Sequence, residues 1–176
     1  MSDGKMVNDV QQVMQSVVAR TCHYFEREYD ISLDKVDAAS LDQPSLTLLD
    51  MTAIVGIGSR LNLLITFSFD DDLINVLYQR MTADFEARPD EVALLREAAA
   101  GELANTIVGH CTVDLQYLDR QCIALTPPTI VNQAKTIRRM TDSIFYTQKL
   151  NTAFGHMNIS LLGPREMFDT NLEYVK

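Results

Sequence analysis

Apolar positions recur with two different periods along the chain, and the changes of period mark its elements. Val7, Val10, Met14, Val17, Val18, Thr21 and Phe25 repeat at helical spacing and predict an amphipathic helix over about residues 6–28. Tyr29 to Pro44 is mixed and reads as a connection containing one short element. From Leu46 to Ile57 and from Arg60 to Phe69 the period becomes two: Leu61, Leu63, Ile65, Phe67 and Phe69 alternate with Asn62, Leu64, Thr66 and Ser68. Gly58-Ser59 lies between the runs, which predicts a β-hairpin. Asp70, Asp71 and Asp72 then precede Leu73, Ile74, Leu77, Tyr78 and Met81 at helical spacing. Three acids in that position could be a metal-binding cluster, but a helix cap and an acidic first turn account for them better.

Pro89 to Cys111 predicts the next helix, with Pro89 at its first position and Asp90 and Glu91 at the positive end of the dipole. Val92, Leu95, Ala99, Leu103, Thr106 and His110 fall on one face of it at about 100° per residue. Gln121 to Leu125 reads as a short strand broken by Pro127-Pro128, which remove two backbone donors and mark an edge or a turn. Thr129 to Ile137, Ile144 to Leu150 and Met157 to Leu162 read as further strands, the last two joined through Asn151 to Gly155, with regular structure ending near Gly163. The short β-to-β links imply an α+β fold: a largely antiparallel sheet with three longer helices packed on it, in a single domain spanning residues 1–176.

Composition narrows the function classes. A net charge of −9 without a Lys/Arg run disfavours nucleic acid and anionic membranes as partners. The first residues lack the apolar core of a signal peptide and no apolar run has transmembrane length, so a cytoplasmic location is expected. Cys22, Cys111 and Cys122 form no disulfide framework and no C-x-x-C. Neighbours in Cys22-His23 and His110-Cys111 point about 100° apart on a helix, so neither dipeptide offers two ligands, and no metal site is expected. With His156 the only other histidine, no Ser-His-Asp arrangement can be built. Gly56-Ile57-Gly58 leads into a strand and lacks a third glycine, so it is no dinucleotide fingerprint.

The candidate chemistry lies on the Pro89–Cys111 helix. Beside its apolar face runs a stripe of Ala98, Glu102, Asn105 and Gly109. Glu102 and Asn105 stand three apart, about 5–6 Å between Cβ atoms, bracketed by residues with almost no side chain. Such a stripe can be solvated surface, with Gly109 admitting a neighbouring element. The spacing alone favours that reading, and the alternative is that the stripe presents a carboxylate and an amide to an approaching partner.

The run G-E-L-A-N-T-I-V-G resembles the signature helix of the CheX/CheC family of chemotaxis phosphatases, which carries Glu-x-x-Asn followed by Gly, here Glu102, Asn105 and Gly109. The family pattern also has a proline after the Asn at a spacing that falls on Pro128 in T-P-P-T. Two positions depart: Ala98 stands where relatives often have Asp or Ser, and Gly58 leads into Ser59-Arg60-Leu61 where relatives tend to have a second glycine. The chain carries a single Glu-x-x-Asn helix and so is similar to the CheX-like branch, which commonly forms dimers.

The resemblance implies a CheC-like fold and hydrolysis of the phosphoaspartate of a CheY-like response regulator. Asn105 would orient the attacking water, Glu102 would pair with a lysine of the regulator, and Ala98 and Gly109 would leave room for that partner. No cofactor is implied for this chain, since Mg2+ is expected on the regulator. Two rival classes follow from the same residues. A binding module of the same fold without turnover is favoured by Ala98, and a small-molecule enzyme using Glu102 as acid or base would require an enclosed pocket.

Overall fold

A computed structural model of the chain describes residues 3–34, 39–41, 43–58, 62–84, 87–116 and 123–164, and the side chains of these apart from 3–9, 34 and 41. Among the described residues three helices, α1 (Asp3–Tyr29), α2 (Asp71–Met81) and α3 (Val92–Asp114), accompany ten strands. These are β1 (Leu33–Asp34), β2 (Ser40–Leu41), β3 (Ser45–Leu48), β4 (Met51–Gly58), β5 (Leu63–Phe69), β6 (Ala124–Leu125), β7 (Thr129–Asn132), β8 (Lys135–Arg138), β9 (Ser143–Thr152) and β10 (Gly155–Pro164). The main sheet runs β1-β9-β10-β5-β4-β6, with β2 on β9 and β7 on β4, and every pairing is antiparallel.

Alternation within the strands decides which layer each residue joins. Met51, Ala53, Val55 and Ile57 of β4 lie beside Leu63, Ile65, Phe67 and Phe69 of β5, and Met157, Ile159 and Leu161 of β10 continue the rows. All are buried in one core with the apolar faces of the three helices. The expected stripe of α1 is there, with Val10, Met14, Val17, Thr21 and Phe25 buried and Val18 packed at its margin, while the side chain of Val7 lies outside the described residues. Buried Thr21 satisfies its hydroxyl on the Val17 carbonyl at 2.7 Å.

The opposite face of the sheet is covered too, by a device that strand periodicity did not reveal. The runs 46–57 and 129–137, each expected as one strand, are both broken: β3 and β8 pair as a separate two-stranded sheet. The ladder nonetheless keeps one register, from Met51↔Asn132 through the Gln133 N–H to Asp50 carbonyl bond (2.8 Å) to Leu48↔Lys135. It is one antiparallel ribbon bent at Asp50 and Gln133, the latter at φ 90, and its outer half buries Leu46 and Leu48 against Phe145, Val131 and Leu162. Thr66 and Ser68 of β5 are consequently buried instead of solvated.

Asp70 does cap α2: its Oδ1 accepts from the Leu73 N–H at 2.9 Å, while Oδ2 accepts from the His156 N–H at 2.7 Å and faces His156 Nδ1 at 2.7 Å. The β4–β5 hairpin forms, with Gly58 as the last residue of β4 and the turn beyond it outside the described residues. The last two strands are longer than expected and are joined by a turn at Ala153-Phe154. No helix among the described residues is long and apolar enough to cross a membrane.

A polar link joins α1 to α3. Arg20 donates Nε and Nη2 to the two oxygens of Asp114 at 2.8 and 2.5 Å, and Ser16 adds a bond of 2.8 Å. The guanidinium, with the Ser16 hydroxyl, draws the Asp114 carboxyl down from 3.8 to about 2. Since the folded value lies below the unfolded one, this contribution is complete above 3.8 and disappears as pH falls through about 2. Asp114→Asn is therefore expected to destabilise the fold at neutral pH by about 1 kcal/mol, the upper end for a partly exposed pair. Denaturant titrations should show the gap between variant and wild type closing over that acid window.

Candidate functional site

Alanine and glycine let α3 lie close to its surroundings. Ala99, Ala100, Leu103, Ala104, Ile107, Val108 and Cys111 are buried between the sheet, α1 and α2. The buried face is thus rotated from the one expected: Ala99 and Leu103 belong to it, Thr106 is half-buried and His110 is exposed. The helix also starts later than Pro89. Residues 88–91 form a turn in which the Glu91 carboxylate accepts from the Arg88 N–H at 3.2 Å and pairs with its guanidinium at 2.8 Å. The first helical bonds follow from the Glu91 carbonyl, so α3 runs from Val92 and ends beyond Cys111 at Asp114.

The part of α3 not covered by other elements faces a groove of about 610 Å³. Leu94, Glu97, Ala98, Gly101, Glu102 and Asn105 form one wall, and Leu125, Thr126, Pro127, Pro128 and Ile130 form the other. Four residues singled out in the sequence, Ala98, Glu102, Asn105 and Pro128, therefore line one cleft. Ala98, Glu102 and Asn105 are exposed, and neither Glu102 nor Asn105 is hydrogen-bonded or ion-paired among the described residues. Half-buried Gly109 continues the stripe one turn beyond the groove. A Cβ built on it would meet nothing within 4 Å among the described residues. The groove is open and Glu102 sits on its lip, which does not provide the enclosed pocket that a small-molecule acid–base enzyme needs.

The proline wall has its own anchor, which the sequence did not announce. The Thr126 N–H donates to the Gly56 carbonyl at 3.0 Å, and the Gly56 N–H donates back to Thr126 Oγ1 at 2.8 Å. A Cβ at Gly56 would lie 2.9 Å from Thr126 Cγ2, so this close approach requires glycine. Ile130 pairs with Ala53 in the sheet, and Gly101 admits Ile130 and Pro128 against α3. Thr126→Val keeps the shape of the side chain and leaves the Gly56 N–H unpaired. It is expected to cost about 1–3 kcal/mol, whereas Thr126→Ser should melt with wild type in thermal unfolding.

Two further wall residues, Leu94 and Glu97, also escaped sequence reasoning. Leu94 is 67% exposed beside the groove. Glu97 accepts a hydrogen bond from the Asn132 amide of β7, tying the two walls together. Only the tertiary pairing of β7 reveals that contact. Cys111 is buried, its thiol pushed up to about 11 by desolvation, Cys22 is half-buried, and Cys122 lies outside the described residues. Among the described residues no group of three His, Cys, Asp or Glu side chains is arranged to hold a metal ion.

Solved structures share this fold. A chemotaxis protein CheX from Desulfovibrio desulfuricans superposes with TM-score 0.72 at 18% identity, over 85% of this chain and 97% of that one. CheX from Vibrio vulnificus gives 0.70 at 16%, over 86% and 99%. The CheX–CheY–BeF3–Mg2+ complex from Borrelia burgdorferi gives 0.66 at 13%, over 86% and 97%. No curated protein matches the sequence. Residues 51–151, more than half of the chain and including all of α3, the groove and the bent ribbon's inner strands, match the family described as chemotaxis phosphatase CheX, and the chain belongs to that family.

Proposed function

We propose that this chain accelerates hydrolysis of the phosphoaspartate on a CheY-like response regulator. The observation that carries the reading is the pair Glu102 and Asn105, exposed and without partners among the described residues, side by side on the uncovered wall of α3 in a member of the CheX family. Exposed side chains that no described residue engages are available to a partner. The Borrelia burgdorferi relative in complex with CheY, BeF3 and Mg2+ supports a regulator as that partner.

The chemistry asks little of this chain. A water oxygen forms a bond to phosphorus and the bond from phosphorus to the aspartyl oxygen breaks. Free carboxylate and inorganic phosphate result, and the proton passes from the water to phosphate or solvent. An aspartyl phosphate is an activated acyl phosphate, so positioning of the water supplies most of what is needed. The Asn105 amide can accept from and donate to that water, and it has no titration near neutral pH, so it orients without acting as a base. Glu102 docks the helix by meeting a lysine of the regulator, and Mg2+ is held by the regulator's own acids. A cytoplasmic location and a homodimer accompany this reading, the second testable by light scattering.

Ala98 favours a second reading, a module that binds a regulator without turnover, because it offers Glu102 and Asn105 no polar support. One experiment separates the two. Each regulator of the source organism is phosphorylated with a small phosphodonor and its decay is followed with wild type and with Asn105→Ala. Faster decay that the variant loses establishes the phosphatase; background decay with a detectable complex establishes the module.

A further inference from the structure

Glu97 is half-buried on the β7 side of the groove, where its Oε1 accepts from the Asn132 amide. Among the described residues it takes part in no ion pair, and none of those that line the groove carries a cationic side chain. A carboxylate in this position has lost part of its hydration and has one neutral amide in return, which leaves it poorly compensated until a cation meets it. Five positions separate it from Glu102, about 7.5 Å along the helix axis and about 140° around it. Leu94, Gly101 and Asn105 occupy the arc between them, facing Pro128 and Ile130. The groove is thus a largely apolar channel, with Asn105 within it and a carboxylate towards each lip.

We infer that Glu97 is a specificity-determining residue, selecting a regulator whose docking face carries a second lysine or arginine. That cation lies about one and a half turns of α3 from the one that meets Glu102. This rests on the reading that the groove docks a response regulator, and it adds which regulators fit. For a chain at −9, an acidic partner is repelled at long range, so a second local charge pair separates the right partner from the others.

The test titrates beryllofluoride- and Mg2+-loaded regulators with the full chain by calorimetry, at low and at physiological salt. It compares wild type, Glu97→Gln, Asn132→Ala and Glu102→Gln. Glu97→Gln keeps an acceptor for Asn132 and removes only the charge. It is expected to unfold at the wild-type midpoint and to bind on the order of tenfold more weakly, with the gap narrowing as salt rises. Asn132→Ala removes the tie and leaves the charge, and its affinity is expected to stay within about threefold of wild type. If Glu97→Gln binds like wild type while Glu102→Gln is weakened, the inference falls and the docking reading stands. If neither weakens binding, the docking reading falls with it. If Asn132→Ala loses as much as Glu97→Gln, the hydrogen bond and not the charge matters, and the inference is overturned.

Discussion

Asn105→Ala is expected to abolish stimulated dephosphorylation, with a loss on the order of a hundredfold or more, while the protein unfolds no more easily than wild type. The two halves of this expectation have separate causes. Asn105 is exposed in the middle of α3 and bonds to nothing among the described residues, so truncating it removes no internal interaction. Alanine is also the better helix former, by roughly half a kcal/mol, so the unfolding midpoint should hold or rise slightly. What disappears is an amide on this wall able to hold a water by both an acceptor and a donor. Asn105→Asp sharpens the test: it keeps the shape, loses the donor and places a negative charge opposite an anionic phosphoryl group. It should be as inactive as the alanine variant. Regulator decay at the wild-type rate with either variant would remove Asn105 from the chemistry.

The contrast between Asn105 and its surroundings also explains how far the sequence could be read. Glu102, Asn105 and Gly109 are related by helical spacing alone, so their shared stripe was legible before any tertiary contact was known. Asp70 was legible as a cap for the same reason, its bond to the Leu73 N–H being local. The helix start was not, because the Glu91 carboxylate closes a turn on Arg88, and this overrides the preference of Pro89 for a first helical position. The second wall of the groove depends on pairing across the sheet. Thr126 is fixed by Gly56 and Ile130 by Ala53, and the bond from Asn132 to Glu97 of α3 ties the walls together, all between residues distant in the chain. Alternation in 46–57 and 129–137 likewise continues through a bend that only the Asp50–Gln133 bond reveals. Local periodicity reports which side of an element is apolar, and it is silent about which distant segment covers that side.

Gly109 yields the second large effect, and it runs in opposite directions for fold and function. A glycine inside a helix is less favourable than alanine by about 1 kcal/mol. Positive φ does not require it here, and an added Cβ would touch nothing within 4 Å among the described residues. Packing among the described residues therefore gives no reason for glycine at this position. Gly109→Ala is expected to raise stability by about 0.5–1 kcal/mol, read as a higher denaturation midpoint with an unchanged denaturant slope. If the regulator's surface closes on the stripe, the bare backbone at Gly109 is where it comes nearest to α3. One methyl group should then weaken the complex modestly, and Gly109→Leu, which projects a branched side chain beyond the groove, should weaken it by on the order of a hundredfold. Both variants keep Glu102 and Asn105 intact, so the loss should appear in the dissociation constant for the beryllofluoride-loaded regulator. Stabilised variants that bind as well as wild type would exclude Gly109 from the interface and confine docking to the groove between α3 and the proline wall.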